Sequence, residues 1–402
     1  MPTSEQKSRF FPSAYYSILN TLQPAFLGCL RTVCFYDHSM TSRAYSWTEI
    51  TLSESNRLRS LAILMIVIHN FLHLILDTPG ENEFGYSAEK FQSFLDGLWN
   101  TPQDSIRIIS SYLGHYGVQV FFFLSGYGAA IKYRNTHSAP SWWTYVRRRL
   151  SALYPAILIA AAGFIIYNGY DFAIKIQGAN LVRQILGVSN FIPDNIYHPI
   201  GPWWFIGVIV QFYLIVPLIF RQKKIKPERL FLYLIAGALL LESFGGALIW
   251  HLFSLNINHT ILGHLDVCAL GMLAAHYKQK SIPSWILLVA AALFILGNYN
   301  VIVWTTASLT ATILLIPLLR FIAGWLSKSK LADRAMLFLG GISIYMFLCN
   351  GYLRWPLIDQ VRENPTWNNN ITTCLIFVGL VILWATGSRL LEILLRKIIS
   401  SK

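Results

Sequence analysis

Residues 57–73 read RLRSLAILMIVIHNFLH, two arginines followed by an apolar run in which His69, Asn70 and His73 stand where hydrocarbon is expected. An ionisable side chain at membrane depth costs roughly 3 kcal/mol or more unless something compensates it, which makes such a residue a functional candidate by default. Arg59 and His69 lie ten residues apart, so helical rise places the histidine roughly 15 Å below the membrane edge, about mid-bilayer. His69 and His73 are spaced i, i+4 and share one helix face, from which both can line one cavity. The plainer alternative is a pair of histidines bonded to neighbouring helices.

The rest of the chain supplies the surroundings. With 13% charged residues and a mean hydropathy of +0.47 over 402 residues, the composition lies far from that of a soluble domain, where about a quarter of residues are charged. A polytopic membrane protein is expected. The net charge of +13 is then read as cytoplasmic loops obeying the positive-inside rule, with no nucleic-acid partner. Cys29, Cys34, Cys268, Cys349 and Cys374 make no CxxC pair, and neither a disulfide framework nor a zinc site is indicated.

Spanning segments are expected at 58–76, 112–132, 149–168, 202–220, 229–250, 260–277, 284–299, 301–320, 335–355 and 371–391, each near the twenty residues a bilayer needs. The fold class is therefore all-α, a polytopic bundle of about ten transmembrane helices. Residues 1–56 read as a cytoplasmic or juxtamembrane segment, with 11–35 lying on the membrane surface as an amphipathic piece, and 396–402 as a cytoplasmic tail. Loop charge tests the count independently of hydropathy. With the N-terminus inside, 26 of the 32 Lys and Arg fall on cytoplasmic segments, and Lys90, Arg107, Lys175, Arg183, Arg354 and Arg362 fall on the other side. A missing or extra helix would scramble that alternation, so both ends are expected in the cytoplasm of a bacterial plasma membrane.

Polar residues inside the segments can be placed by depth. Residues 114–135, GHYGVQVFFFLSGYGAAIKYRN, carry Gly114, Gly117, Gly126 and Gly128, which allow close helix approach, with Gln119 and Ser125 as hydrogen-bonding groups. Lys132, Arg134, Arg147, Arg148 and Arg149 follow. Singly they are topology signals; together they suit a polyanion such as a nucleotide phosphate, because guanidinium forks bind phosphate oxygens in pairs. Trp203 and Trp204 belong to the interfacial aromatic belt. Glu242 lies inside the fifth segment, and the sixth opens with His259, His264 and Asp266. A carboxylate at such depth needs a partner, and a histidine on a nearby helix is the obvious one.

These pieces resemble the acyltransferase 3 family of integral membrane acyltransferases over about residues 55–395: the arginine-led first helix, GVQVFFFLSGYGAAIKY at 117–133, RRRLSALYP at 147–155, WWFIGVIVQFYLIVPLI at 203–219, HLDVCALGMLAAHY at 264–277 and GGISIYMFLCN at 340–350. The resemblance implies transfer of an acyl group, usually acetyl, from cytoplasmic acyl-CoA to a hydroxyl of a carbohydrate or exported glycan, with no metal and no bound cofactor. It makes residues 57–395 the acyltransferase domain. Two positions depart from the family pattern. The histidine usually found eleven residues after the arginine is Asn70, with His69 one residue early, and a second usual histidine is Asn350.

On this reading His69, rivalled by His73, is the general base or the acyl acceptor, Arg59 and Arg147 to Arg149 hold the donor phosphates, and Lys132, Ser125, Glu242 and Asp266 complete the binding residues. No GxSxG and no fused soluble transfer domain is expected. A proton-coupled transporter or flippase is the competing class, since it too would use intramembrane His, Glu and Asp; no matched Gly/Pro-interrupted segments in two halves support it. A non-catalytic scaffold would leave the costly buried polar groups unexplained.

Overall fold

The computed structural model describes residues 49–75, 81–134, 141–277 and 282–400. The segment at 11–35 and Arg134's side chain lie outside the described set. Among the described residues the chain is helical throughout, without a strand. In chain order the helices are α1 (Leu52–Leu72), α2 (Ala88–Asn100), α3 (Ser105–Leu113), α4 (Gly117–Arg134), α5 (Trp142–Asn168), α6 (Gly178–Ile185), α7 (Trp204–Arg221) and α8 (Pro227–Leu240). They continue with α9 (Gly246–Phe253), α10 (Leu265–His276), α11 (Ser284–Gly297), α12 (Val301–Trp304), α13 (Ala307–Leu326), α14 (Lys330–Leu353), α15 (Trp355–Glu363) and α16 (Trp367–Ser400).

The stretch that carries the histidines forms the hub. Thr51 caps α1 by accepting from the Glu54 amide, and a carboxylate in the first turn complements the helix dipole. Its buried residues, among them Leu58, Ile63, Ile66, Val67 and Phe71, point in several directions. α1 therefore packs against α3, α4, α13, α14 and α16 at once. Two glycine contacts set the closest approaches. A Cβ on Gly340 of α14 would lie 1.9 Å from the Asn56 carbonyl oxygen, and Cβ atoms on Gly126 of α4 and Gly271 of α10 would lie 1.9 and 2.1 Å from the carbonyl oxygens of Cys268 and Phe123. Without side chains these backbones meet directly, the mode of helix association that bilayers favour. Gly114 and Gly117 serve the same purpose against α1, whereas Gly128 has open space where its side chain would be.

Among the described residues six helices are long and apolar enough to cross a membrane: Trp142–Asn168, Gly201–Arg221, Pro227–Phe253, Ala307–Leu326, Lys330–Leu353 and Trp367–Ser400. Ile261–His276 and Ser284–Gly297 are shorter apolar helices. The other two expected segments, 58–76 and 112–132, fall on α1 and on the end of α3 with α4; α1 and α4 are largely shielded by neighbouring helices. The bundle's lipid side is clearest on Pro227–Phe253, where Leu240, Phe244, Leu248 and Trp250 are all exposed. A broad exposed apolar surface on a helix of spanning length is the surface a bilayer covers. That helix widens to a π turn at Leu241–Gly245, which carries Glu242; π turns recur at functional positions.

Candidate functional site

Two polar centres meet α1. The first is a cavity of about 400 Å³ between α1, α4, α5, α7 and α14, within the size range of small-molecule sites. Its polar lining is Asn56, Arg59, Ser125, Arg149, Tyr213 and Ser343; Ile66, Val118, Phe121, Phe205 and Phe347 make its apolar depth. Arg149 lies over the rings of Tyr145 and Tyr213, 5.3 and 5.7 Å from their centroids. Neighbouring arginines are already neutralised: Arg57 pairs with Asp333 at 2.7 Å and Arg320 with Glu54 at 2.8 Å. No carboxylate pairs with Arg59 or Arg149 among the described residues. Two half-buried guanidinium groups in one open-mouthed cavity, with no carboxylate paired to either among the described residues, make an anion site.

The expected binding residues separate here. Arg59, Ser125 and Arg149 share the cavity, while Arg147 and Arg148 are exposed on the surface beside it. Lys132 sits above the Tyr145 ring, 5.4 Å from its centroid, at the rim and outside the lining. Glu242 and Asp266 belong elsewhere, as described below.

The second centre is a histidine cluster one turn further along α1 than Ile66, about 4.5 Å along the axis. His69 is 3% exposed. Its Nδ1 lies 3.3 Å from the Ser110 carbonyl oxygen and His73 Nδ1 lies 2.8 Å from the His69 carbonyl oxygen. A carbonyl only accepts, so in each neutral ring Nδ1 carries the proton and Nε2 holds the lone pair. The two rings stack 4.6 Å apart, and His115 stands 5.7 Å from His69. A Cβ on Gly114 would lie 2.6 Å from His69 Cβ, so that glycine is what lets the histidine enter. The ligand atoms of His69, His73 and Glu81 all lie within 4.8 Å of one another.

The two departures from the family pattern meet each other. Asn70 Nδ2 donates to Asn350 Oδ1 at 2.8 Å, and Arg354 donates from Nη1 to the Asn70 carbonyl at 2.8 Å. This amide pair locks α1 to α14 beside His69 and leaves the histidines as the groups there with a lone pair that can take a proton.

Glu242 lines a small chamber of about 10 Å³ with Glu83, His115, Gln119, Asn258 and His264, space for about one water. His264 donates from Nε2 to the Asn258 carbonyl at 2.9 Å. Asp266, 1% exposed on α10, lies close by and acts electrostatically on Glu242. Glu242 thus shares a chamber with His115 and His264, apart from the arginine cavity, but its hydrogen bond is to Asn258 and the Asp266 carboxyl oxygens have no hydrogen-bond partner among the described residues. Toward the loop, burial first and Glu81 second hold the Glu83 carboxyl well above the usual carboxylate range. His115 escaped the sequence reading, although an ionisable residue opening an apolar, glycine-rich segment was a signal available there.

Comparison with known proteins adds the family. The acyltransferase 3 family model, described as an acyltransferase domain, matches residues 53–389. Searches of curated proteins and of solved structures each gave no match. The matched span runs from the first turn of α1 into α16 and contains both polar centres, and on that extent the chain belongs to the acyltransferase 3 family.

Proposed function

We propose that this membrane acyltransferase moves an acyl group, acetyl in the first instance, from cytoplasmic acyl-CoA to a hydroxyl of a carbohydrate in an exported or envelope glycan. The observation that carries the reading is the cavity where Arg59 of α1, the helix that carries His69 further along, meets Arg149 of α5, neither paired with a carboxylate among the described residues. The phosphates of the donor would meet Arg59 and Arg149, with exposed Arg147, Arg148 and Lys132 drawing the nucleotide to the mouth. The thioester arm would run along Ile66, Phe121 and Phe205 toward the histidines. There the His69 Nε2 lone pair takes the proton of the acceptor hydroxyl, whose oxygen attacks the thioester carbonyl. The C–S bond breaks, and the imidazolium returns the proton to the departing thiolate. The Ser110 carbonyl, by holding Nδ1–H, keeps the ring in the tautomer this needs. His73, half-buried one turn further along, contacts the acceptor as it enters. The reaction described needs no bound cofactor.

The test is donor kinetics on protein purified in detergent. Arg149→Gln and Arg59→Gln should each raise the KM for acetyl-CoA by about tenfold or more, the loss of one charge-assisted phosphate contact. Arg147→Gln and Arg148→Gln should change it little at physiological salt. Unchanged donor KM in the first two variants, with protein still inserted and folded, would remove the cavity from the donor site.

A further inference from the structure

At the outer end of α1 two imidazoles and a carboxylate converge in an arrangement that acyl transfer alone does not require. Both rings have Nδ1–H held by a main-chain carbonyl, Ser110 for His69 and His69 itself for His73. That is how metal-binding histidines are usually braced, because the outer hydrogen bond fixes the tautomer and aims the other nitrogen. Glu81 enters from the neighbouring loop, and one ligand atom from each of the three residues lies within 4.8 Å of the other two. We propose that His69, His73 and Glu81 bind a divalent transition-metal ion of the zinc class, and that its binding arrests acyl transfer. The arrest rests on the reading of His69 as base, since a lone pair given to a metal cannot take a proton.

The donor set selects the ion. Two neutral imidazoles and one carboxylate suit zinc and its neighbours, whereas magnesium and calcium prefer all-oxygen sites. Tetrahedral bonds of about 2.1 Å need ligand atoms about 3.4 Å apart, so the site closes through a small side-chain movement. Glu81 is half-buried on a loop and His73 half-buried at the helix end, and both can make it. Two charged groups of opposite sign face the site. Arg354 faces both histidines and opposes a dication, but it is held at the Asn70 carbonyl, and Glu81 faces His73 and His115 from the opposite sign.

Protein purified in detergent and stripped with chelator is titrated with zinc chloride in a calorimeter and assayed for acetyl transfer in parallel. The wild type should take up one ion per chain with loss of transfer, chelator should restore it, and magnesium chloride should do neither. Glu81→Gln should weaken zinc binding by about tenfold or more while transfer without zinc is unchanged; His73→Ala should weaken binding likewise. No zinc uptake by the wild type, or equal uptake by Glu81→Gln and His73→Ala, overturns the site. Uptake that depends on Glu81 while transfer continues keeps the site and removes His69 from the role of base.

Discussion

At the scale of single residues, His69 and His73 are distinguished by surroundings that their spacing does not reveal. His69 is enclosed, braced by Ser110 and flanked by His73 and His115; His73 is half-buried and bonded within its own turn. His69→Ala should lower kcat by a factor on the order of 10² or more, the usual loss for a general base, with normal expression. His73→Ala should act mainly on the KM for the acceptor. Near-normal transfer by His69→Ala beside a dead His73→Ala would move the base one turn outward. The amide pair Asn70–Asn350 explains how the hub dispenses with histidine at those two positions: each side chain finds a partner, so neither is left as an unpaired polar group in the bundle.

At the scale of elements, helical geometry splits the arginine triplet. Successive residues on a helix point about 100° apart, so Arg147, Arg148 and Arg149 cannot all face one cavity, and only Arg149 does. Glycines divide in the same way. Gly126 and Gly271 meet backbone across the α4–α10 contact, and Gly128, two residues on, meets nothing. Gly126→Val or Gly271→Val should therefore cut the yield of folded protein and lower its melting temperature in detergent, by overpacking worth roughly 1–3 kcal/mol or more. Gly128→Ala, which gains helix propensity without a clash, should leave both unchanged or slightly higher. Equal damage from all three would mean that this helix pair is not packed through its glycines.

For the whole molecule, the 26-to-6 division of basic residues makes a topology that can be checked without an activity assay. In a cysteine-free background, single cysteines placed in 81–104 and 170–198 should react with an impermeant reagent added from outside. Cysteines in 141–146 and 222–228 should react only after the membrane is opened. Outside labelling of the last two ranges would invert or break the assigned orientation, and with it the placing of the donor cavity on the cytoplasmic side.

Some of this was decided by the chain's chemistry alone. Apolar length, few charges and loop cations specify a helical membrane protein, and the ordered motifs from the arginine-led helix to GGISIYMFLCN identify the family over nearly the span that its model matches. The cost of burying ionisable groups also marked His69, His73, Glu242 and Asp266 in advance. Only the tertiary structure decided which of them meet. It put Arg59, Ser125 and Arg149 in one cavity, set Glu242 on the wall of one small chamber with His264 and His115, and brought Asn70 to Asn350 across 280 residues. The physical reason is that hydropathy and periodicity fix a residue's depth and helix face, while the partner across a helix contact is set by backbone approach. Here that approach is governed by where a glycine lets two main chains touch.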